Sequence, residues 1–261
     1  MSQTRDEVIR CRLNKMTEWA KQRRDFLAHS PKGWKEDWYI RIGGNGFRAV
    51  SLDQKRPLLQ IGPGTVRKID TVYNHFKKFD PKELKELGRP TPEKCIQSIV
   101  IHQVLRIGNK MKSILNVNKA ECDELFFAFD EVSIGDIHHP PVVRCDMLAV
   151  GLRKGIAYPV VIELKTERNT EVFRQVKEFQ TEILSFQSEF QALLNQALGK
   201  QYGFSFPSIG GIVVWPKSPD DKEQSYIEKL GHENNIIIIQ YNWDHQSNIE
   251  NLKFKQVYPP I

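Results

Sequence analysis

The sequence predicts an α/β fold, a sheet flanked by helices, on three observations. Two β-type runs, 142–152 and 158–164, flank a turn-like Arg153-Lys154-Gly155. Helix-period stretches stand on either side of them, at 91–107 and 170–198. Apolar runs at 210–216 and 236–243 then bracket a helix near 223–231, the alternation expected of strands and helices packed in layers.

In chain order, residues 4–28 read as an amphipathic helix. Its apolar side carries Val8, Ile9, Leu13, Met16 and Ala20, and its other side is rich in Arg and Lys. Residues 38–50 read as a hairpin turning at Gly44-Asn45-Gly46. No helix follows those glycines, which excludes a dinucleotide loop. Arg41 and Arg48, flanked by Trp38 and Phe47, are candidate nucleic-acid contacts. Gly62-Pro63-Gly64-Thr65 leads into a basic helix, 66–79, with Lys68 in its first turn and an N-terminus able to receive a phosphate.

Residues 80–92 are charged and contain Pro81, Gly88, Pro90 and Pro92, which places a boundary between a basic extension, 1–88, and a second domain, 89–261. Thr91 caps a helix with Pro92 in its first turn and Gly108 at its end. Residues 124–134 read as a strand feeding the hairpin. The 170–198 helix has apolar residues at 172, 176, 179, 183, 186, 190, 193 and 197 and is closed by Gly199. Its apolar side belongs either to the core or to the seam of a homodimer.

The hairpin carries the chemistry. Pairing centred on Lys154-Gly155 sets Asp146 directly across from Glu163, with Cβ atoms roughly 5 Å apart. Lys165 lies two residues on from Glu163, on the same strand face. Opposed carboxylates repel, and the apolar flanking runs argue that they are buried, which is costly unless they are paired or metal-bound. Oxygen ligands with room for water suit Mg²⁺, with Mn²⁺ able to substitute. That is the equipment for metal-assisted phosphodiester hydrolysis, with Lys165 steadying charge at the phosphate or helping to position and deprotonate the water. The plainer alternative is an exposed hairpin with a cross-strand salt bridge.

This ordered pattern resembles the PD-(D/E)XK, or restriction-endonuclease-like, nuclease superfamily over about residues 90–245. Cys145 stands where the family name puts Pro. The resemblance implies a core of helix, three strands, helix and strand. It implies Asp146 and Glu163 as metal ligands, the Leu164 carbonyl as a third, and Lys165 as the catalytic cation. Glu93 and Gln97 resemble the acidic helix position that many such nucleases use as an extra metal contact, although a Glu at a helix start is also favoured by the macrodipole. Gln175, four residues before Phe179, resembles the Gln-x-x-x-Tyr of the branch containing the RecB nuclease domain. Phe179 replaces the Tyr and falls on the helix's apolar stripe.

The implied substrate is DNA, with RNA as the alternative, in restriction, phage defence, repair or mobile-element processing. A protein partner in a larger complex is compatible with this. A non-catalytic nucleic-acid-binding or assembly subunit is the reading from another class. The literal Asp80-Pro81-Lys82-Glu83-Leu84-Lys85 is set aside, because three residues do not reach a neighbouring strand; it reads as a capped, solvated helix.

The net charge of +6 is unevenly placed. Residues 1–90 hold 20 Lys and Arg against 11 Asp and Glu, or +9, and the remainder 18 against 21, or −3. A basic half before an acidic site suits a polyanionic substrate. No apolar leader or membrane-length run is present, so a soluble, cytoplasmic protein without membrane association is expected. Four cysteines without CxxC spacing indicate neither zinc nor a disulfide framework, and Cys145 reads as a small core residue. His138-His139 before Pro140-Pro141 reads as a polar loop rather than a metal site.

Overall fold

A two-residue turn sets the register of the central hairpin. Lys154 and Gly155 both take positive φ, 51° and 79°, the requirement of a type I′ hairpin turn. Around it, β5 (His139–Arg153) and β6 (Ile156–Leu164) pair antiparallel from Arg153↔Ile156 to Met147↔Ile162. A Cβ on Gly155 would meet no atom within 4 Å, so only backbone conformation disfavours a side chain there. Gly155→Val should therefore cost ~1–2 kcal/mol, read as a lowered thermal midpoint.

The computed structural model describes residues 3–29, 38–43, 45–52, 60–77, 91–136, 138–217, 220–243 and 252–259. The 80–85 segment and nearly all of the 80–92 boundary lie outside them. The main sheet has six strands in the order β4-β5-β6-β7-β8-β9. β4 (Glu124–Asp136), β5 and β6 are antiparallel. β6, β7 (Gly210–Pro216) and β8 (Ile237–Asn242) are parallel, and β9 (Lys253–Tyr258) closes the sheet antiparallel to β8. The protein is thus α/β, with a mixed sheet and a hydrophobic cluster on each face.

Alternation divides the central strands between these clusters. Val161, Val213 and Trp215 face one, with α5 (Glu171–Ser185) and α6 (Gln187–Leu198). Ile162, Leu164, Ile212 and Val214 face the other, with α3 (Pro92–Arg106). Thr91 caps α3, accepting from the Lys94 N–H at 3.3 Å. α4 (Lys112–Leu115) is a single extra turn on this side, and α7 (Asp221–Asn234) connects β7 to β8.

The N-terminal residues pack against the rest of the chain. α1 (Arg5–His29) buries Ile9, Leu13, Met16 and Ala20, as its periodicity predicts. They enter the same cluster as Phe129, Phe179, Phe186 and Phe190. β1 (Trp38–Gly43) and β2 (Gly46–Ser51) form the expected hairpin, and Tyr39 on β1 packs against Phe127 of β4 at 5.9 Å between ring centres.

Three local expectations change. The Gly62-Pro63-Gly64 segment does not lead straight into a helix but is part of β3 (Gln60–Val66), the edge of the β1-β2-β3 sheet, where Pro is tolerated. The basic helix after it begins later than residue 66, at Ile69, as α2 (Ile69–Lys77). The 170–198 helix is broken at Phe186, whose ψ of 44° leaves helical geometry between α5 and α6. Val172, Val176, Phe179, Ile183, Phe186, Phe190 and Leu193 are all buried within the chain, so the stripe gives no dimer seam. No helix of the described residues is long and apolar enough to cross a membrane.

Candidate active site

β5 and β6 stop pairing one residue short of Asp146 and Glu163, and the two side chains take over from the ladder. Asp146 Oδ2 accepts the Leu164 N–H at 2.8 Å, and Glu163 Oε1 accepts the Asp146 N–H at 3.3 Å. Each carboxylate thus caps the backbone of the other strand. Lys165 Nζ donates to Glu163 Oε2 at 3.0 Å and stands 3.7 Å from Asp146 Oδ2. The three residues that the sequence singled out therefore meet.

Two outer contacts hold their backbones. Gln97 Nε2 of α3 donates to the Asp146 carbonyl at 3.0 Å, and the Tyr241 hydroxyl of β8 donates to the Lys165 carbonyl at 3.2 Å. These three side chains face an open cavity of about 920 Å³, bounded by β5 and by α3 and α5. Gln175 and Glu93 line the same cavity. Gln175 Oε1 is buried and has no hydrogen-bond partner among the described residues. Leu164 does not line the cavity, and its side chain sits in the α3-side core.

Electrostatics separate the roles. Burial first, then the Asp146 charge, outweigh the pull of Lys165 and push Glu163 up to about 8. Burial alone would lower Lys165, but Glu163 and Asp146 outweigh it and raise its pKa, so the ammonium stays charged at neutral pH. Burial and then Asp146 also raise Glu93. In the folded state Glu163 holds its proton more tightly than the ordinary carboxyl value of 4.5. Stability of the metal-free protein should therefore fall as pH rises from about 5 to about 8, on the order of 3 kcal/mol across that window. Glu163→Gln should flatten the dependence, as read by urea denaturation at several pH values.

Glu131 belongs to this site and carries no motif in the sequence. Asp130↔Met147 and Val132↔Cys145 pair across β4 and β5, which leaves Glu131 opposite Asp146. Its φ is 51°, left-handed inside a strand and disfavoured for a side chain of its size. The inward-facing set changes here. Met147 and Ala149 belong to the α3-side cluster, whereas Val143 and Cys145 belong to the α5-side one. Glu131 is ion-paired with Lys94, which also donates to Gln97 Oε1 at 2.9 Å. Burial raises the Glu131 pKa, but the Lys94 charge and hydrogen bond outweigh it and the net shift is downward. Only the β4–β5 register could have revealed this residue.

The candidate nucleic-acid contacts do not line this cavity. Arg41 lies in a mostly buried ion pair with Asp130, its Nε 2.7 Å from Oδ2. It is not free to meet a phosphate. Arg48 is exposed and donates to Thr65 Oγ1 at 2.5 Å, and Lys68 is exposed just before α2; neither lines the cavity. The arginines of α1 also bond inward. Arg5 pairs with Glu182 and Arg10 with Glu189, Arg12 donates to the Gly135 carbonyl, and Arg24 donates to the Gln196 carbonyl. Arg23 is buried over the rings of Tyr39 and Phe129. His138 and His139 lie at the β4–β5 turn, away from the cavity lining, and the four cysteines are free, with Cys145 buried.

Asp146, Glu163 and the unpartnered Gln175 oxygen line one cavity and are hard oxygen donors, the type of ligand a divalent ion takes. Among the described residues no three His, Cys, Asp or Glu side chains are grouped so as to hold a metal ion. No family model, characterised protein or solved structure matches this chain.

Proposed function

We propose that the protein is a divalent-metal-dependent nuclease of the PD-(D/E)XK type, with a restriction-endonuclease-like core, that hydrolyses phosphodiester bonds in DNA. One observation carries the reading: two carboxylates from adjacent strands are held against each other at the floor of an open cavity, with a charged lysine on both. Such a pair is unfavourable in a purely structural role. Asp146 and Glu163 would hold Mg²⁺ or Mn²⁺, with the Leu164 carbonyl and Glu93 as further candidates. The bound ion supplies polarisation of the phosphoryl group and a water of lowered pKa.

The chain's own residues do the rest. Lys165, beside both carboxylates, would steady negative charge developing on the phosphate or help position and deprotonate the water. Gln175 presents an unpaired acceptor to the water or the ion. Gln97 and Tyr241 fix the backbones that aim Asp146 and Lys165. The test is cleavage of supercoiled plasmid, linear duplex and single-stranded DNA with Mg²⁺, Mn²⁺ or EDTA. Cutting in either metal and none in EDTA is expected. A folded protein that binds DNA but cuts none of these would overturn the proposal in favour of a binding subunit.

A further inference from the structure

Four cations line the cavity: Lys94, Arg144, Lys165 and Arg174. Lys94 is paired with Glu131, Lys165 with Glu163 and Asp146, and Arg174 with Glu171 and Glu178. Arg144 is exposed and makes no ion pair and no side-chain hydrogen bond among the described residues. It keeps no carboxylate even though Glu93, Glu131, Asp146, Glu163, Glu178 and Glu182 line the same cavity. An arginine left over in an acid-rich cavity is one whose counter-charge arrives with a ligand.

Its position says which ligand. Arg144 stands two residues before Asp146 on β5, about 7 Å along the strand. That is the scale of the step from one backbone phosphate to the next. We propose that Arg144 is the substrate-positioning residue of this site, binding the DNA phosphate adjacent to the scissile one. The proposal rests on the nuclease reading. A guanidinium suits the role because its planar fork takes two phosphate oxygens at once. It also replaces a contact that Arg41, tied to Asp130, does not make.

The experiment uses the full chain and a fluorescein-labelled DNA duplex. Binding is measured in EDTA over a KCl series, and cleavage over a substrate series in Mg²⁺, for wild type, Arg144→Ala and Arg144→Lys. Arg144→Ala should raise KM about tenfold with most of kcat retained, and the slope of log Kd against log[KCl] should flatten by about one contact. Arg144→Lys should recover the salt slope, because the charge returns, while regaining KM only in part. Wild-type KM and slope in the alanine variant would leave Arg144 as a solvated surface residue. A loss confined to kcat would place it on the reacting phosphate, and either result overturns the proposal. If the wild type binds but does not cut, the nuclease reading fails while the salt slope still decides whether Arg144 holds DNA. If it does not bind the duplex, both fall.

Discussion

Lys165→Ala should abolish detectable DNA cleavage, lowering kcat at least 10³-fold, while the thermal midpoint stays near wild type. The side chain lines the open cavity and is partly exposed, so removing it opens no core void. What is lost is the cation that, among the described residues, contacts both Asp146 and Glu163. The remaining carboxylates would repel an incoming phosphate. Asp146→Ala should be as inactive but less stable, because the Leu164 N–H loses its acceptor at the point where β5 and β6 part. Asp146→Asn keeps an oxygen for that N–H and should regain stability without activity. Wild-type-like cutting by either alanine variant would refute the assigned site.

Arg41→Ala should destabilise the protein by about 3–5 kcal/mol. Asp130 is 1% exposed and would be left as a buried, uncompensated carboxylate. One of its oxygens, Oδ1, already has no hydrogen-bond partner among the described residues. Burial alone would lower the Arg41 pKa, but the Asp130 charge and hydrogen bond outweigh it and raise it. Replacing both partners with apolar residues, Arg41→Met with Asp130→Leu, should restore most of the loss. Differential scanning calorimetry gives the stabilities, and DNA binding well below the midpoint should be unchanged. A nearly unshifted midpoint with weakened DNA binding would return Arg41 to the role its sequence context suggested.

The Arg41–Asp130 pair bears on what was legible in the chain. The pairing of Asp146 with Glu163 could be read in advance because a two-residue turn leaves one register, and Lys154 and Gly155 adopt it. The inward face of α1 was equally plain in its spacing. Charge was harder to read, because a sequence gives its sign and not its partner. The excess of Arg in residues 1–90 suggested a polyanion, yet Arg5, Arg10, Arg23 and Arg41 hold the protein to itself. β9 was missed because Lys253, Lys255 and Gln256 among its six residues look like a solvated segment. Glu131 was missed because its neighbour is 15 positions away on another strand.

The seat of α1 also bears on how the chain reaches this state. Its apolar face is covered by Phe186, Phe190 and Leu194, which are made more than 150 residues later. Until α6 leaves the ribosome, α1 has only part of its surface to dock on, the β1–β2 side with Phe47, and non-local closure of this kind is slow. Its hydrophobic side waits for that length of synthesis, a window in which a nascent chain is open to misassociation or to a chaperone.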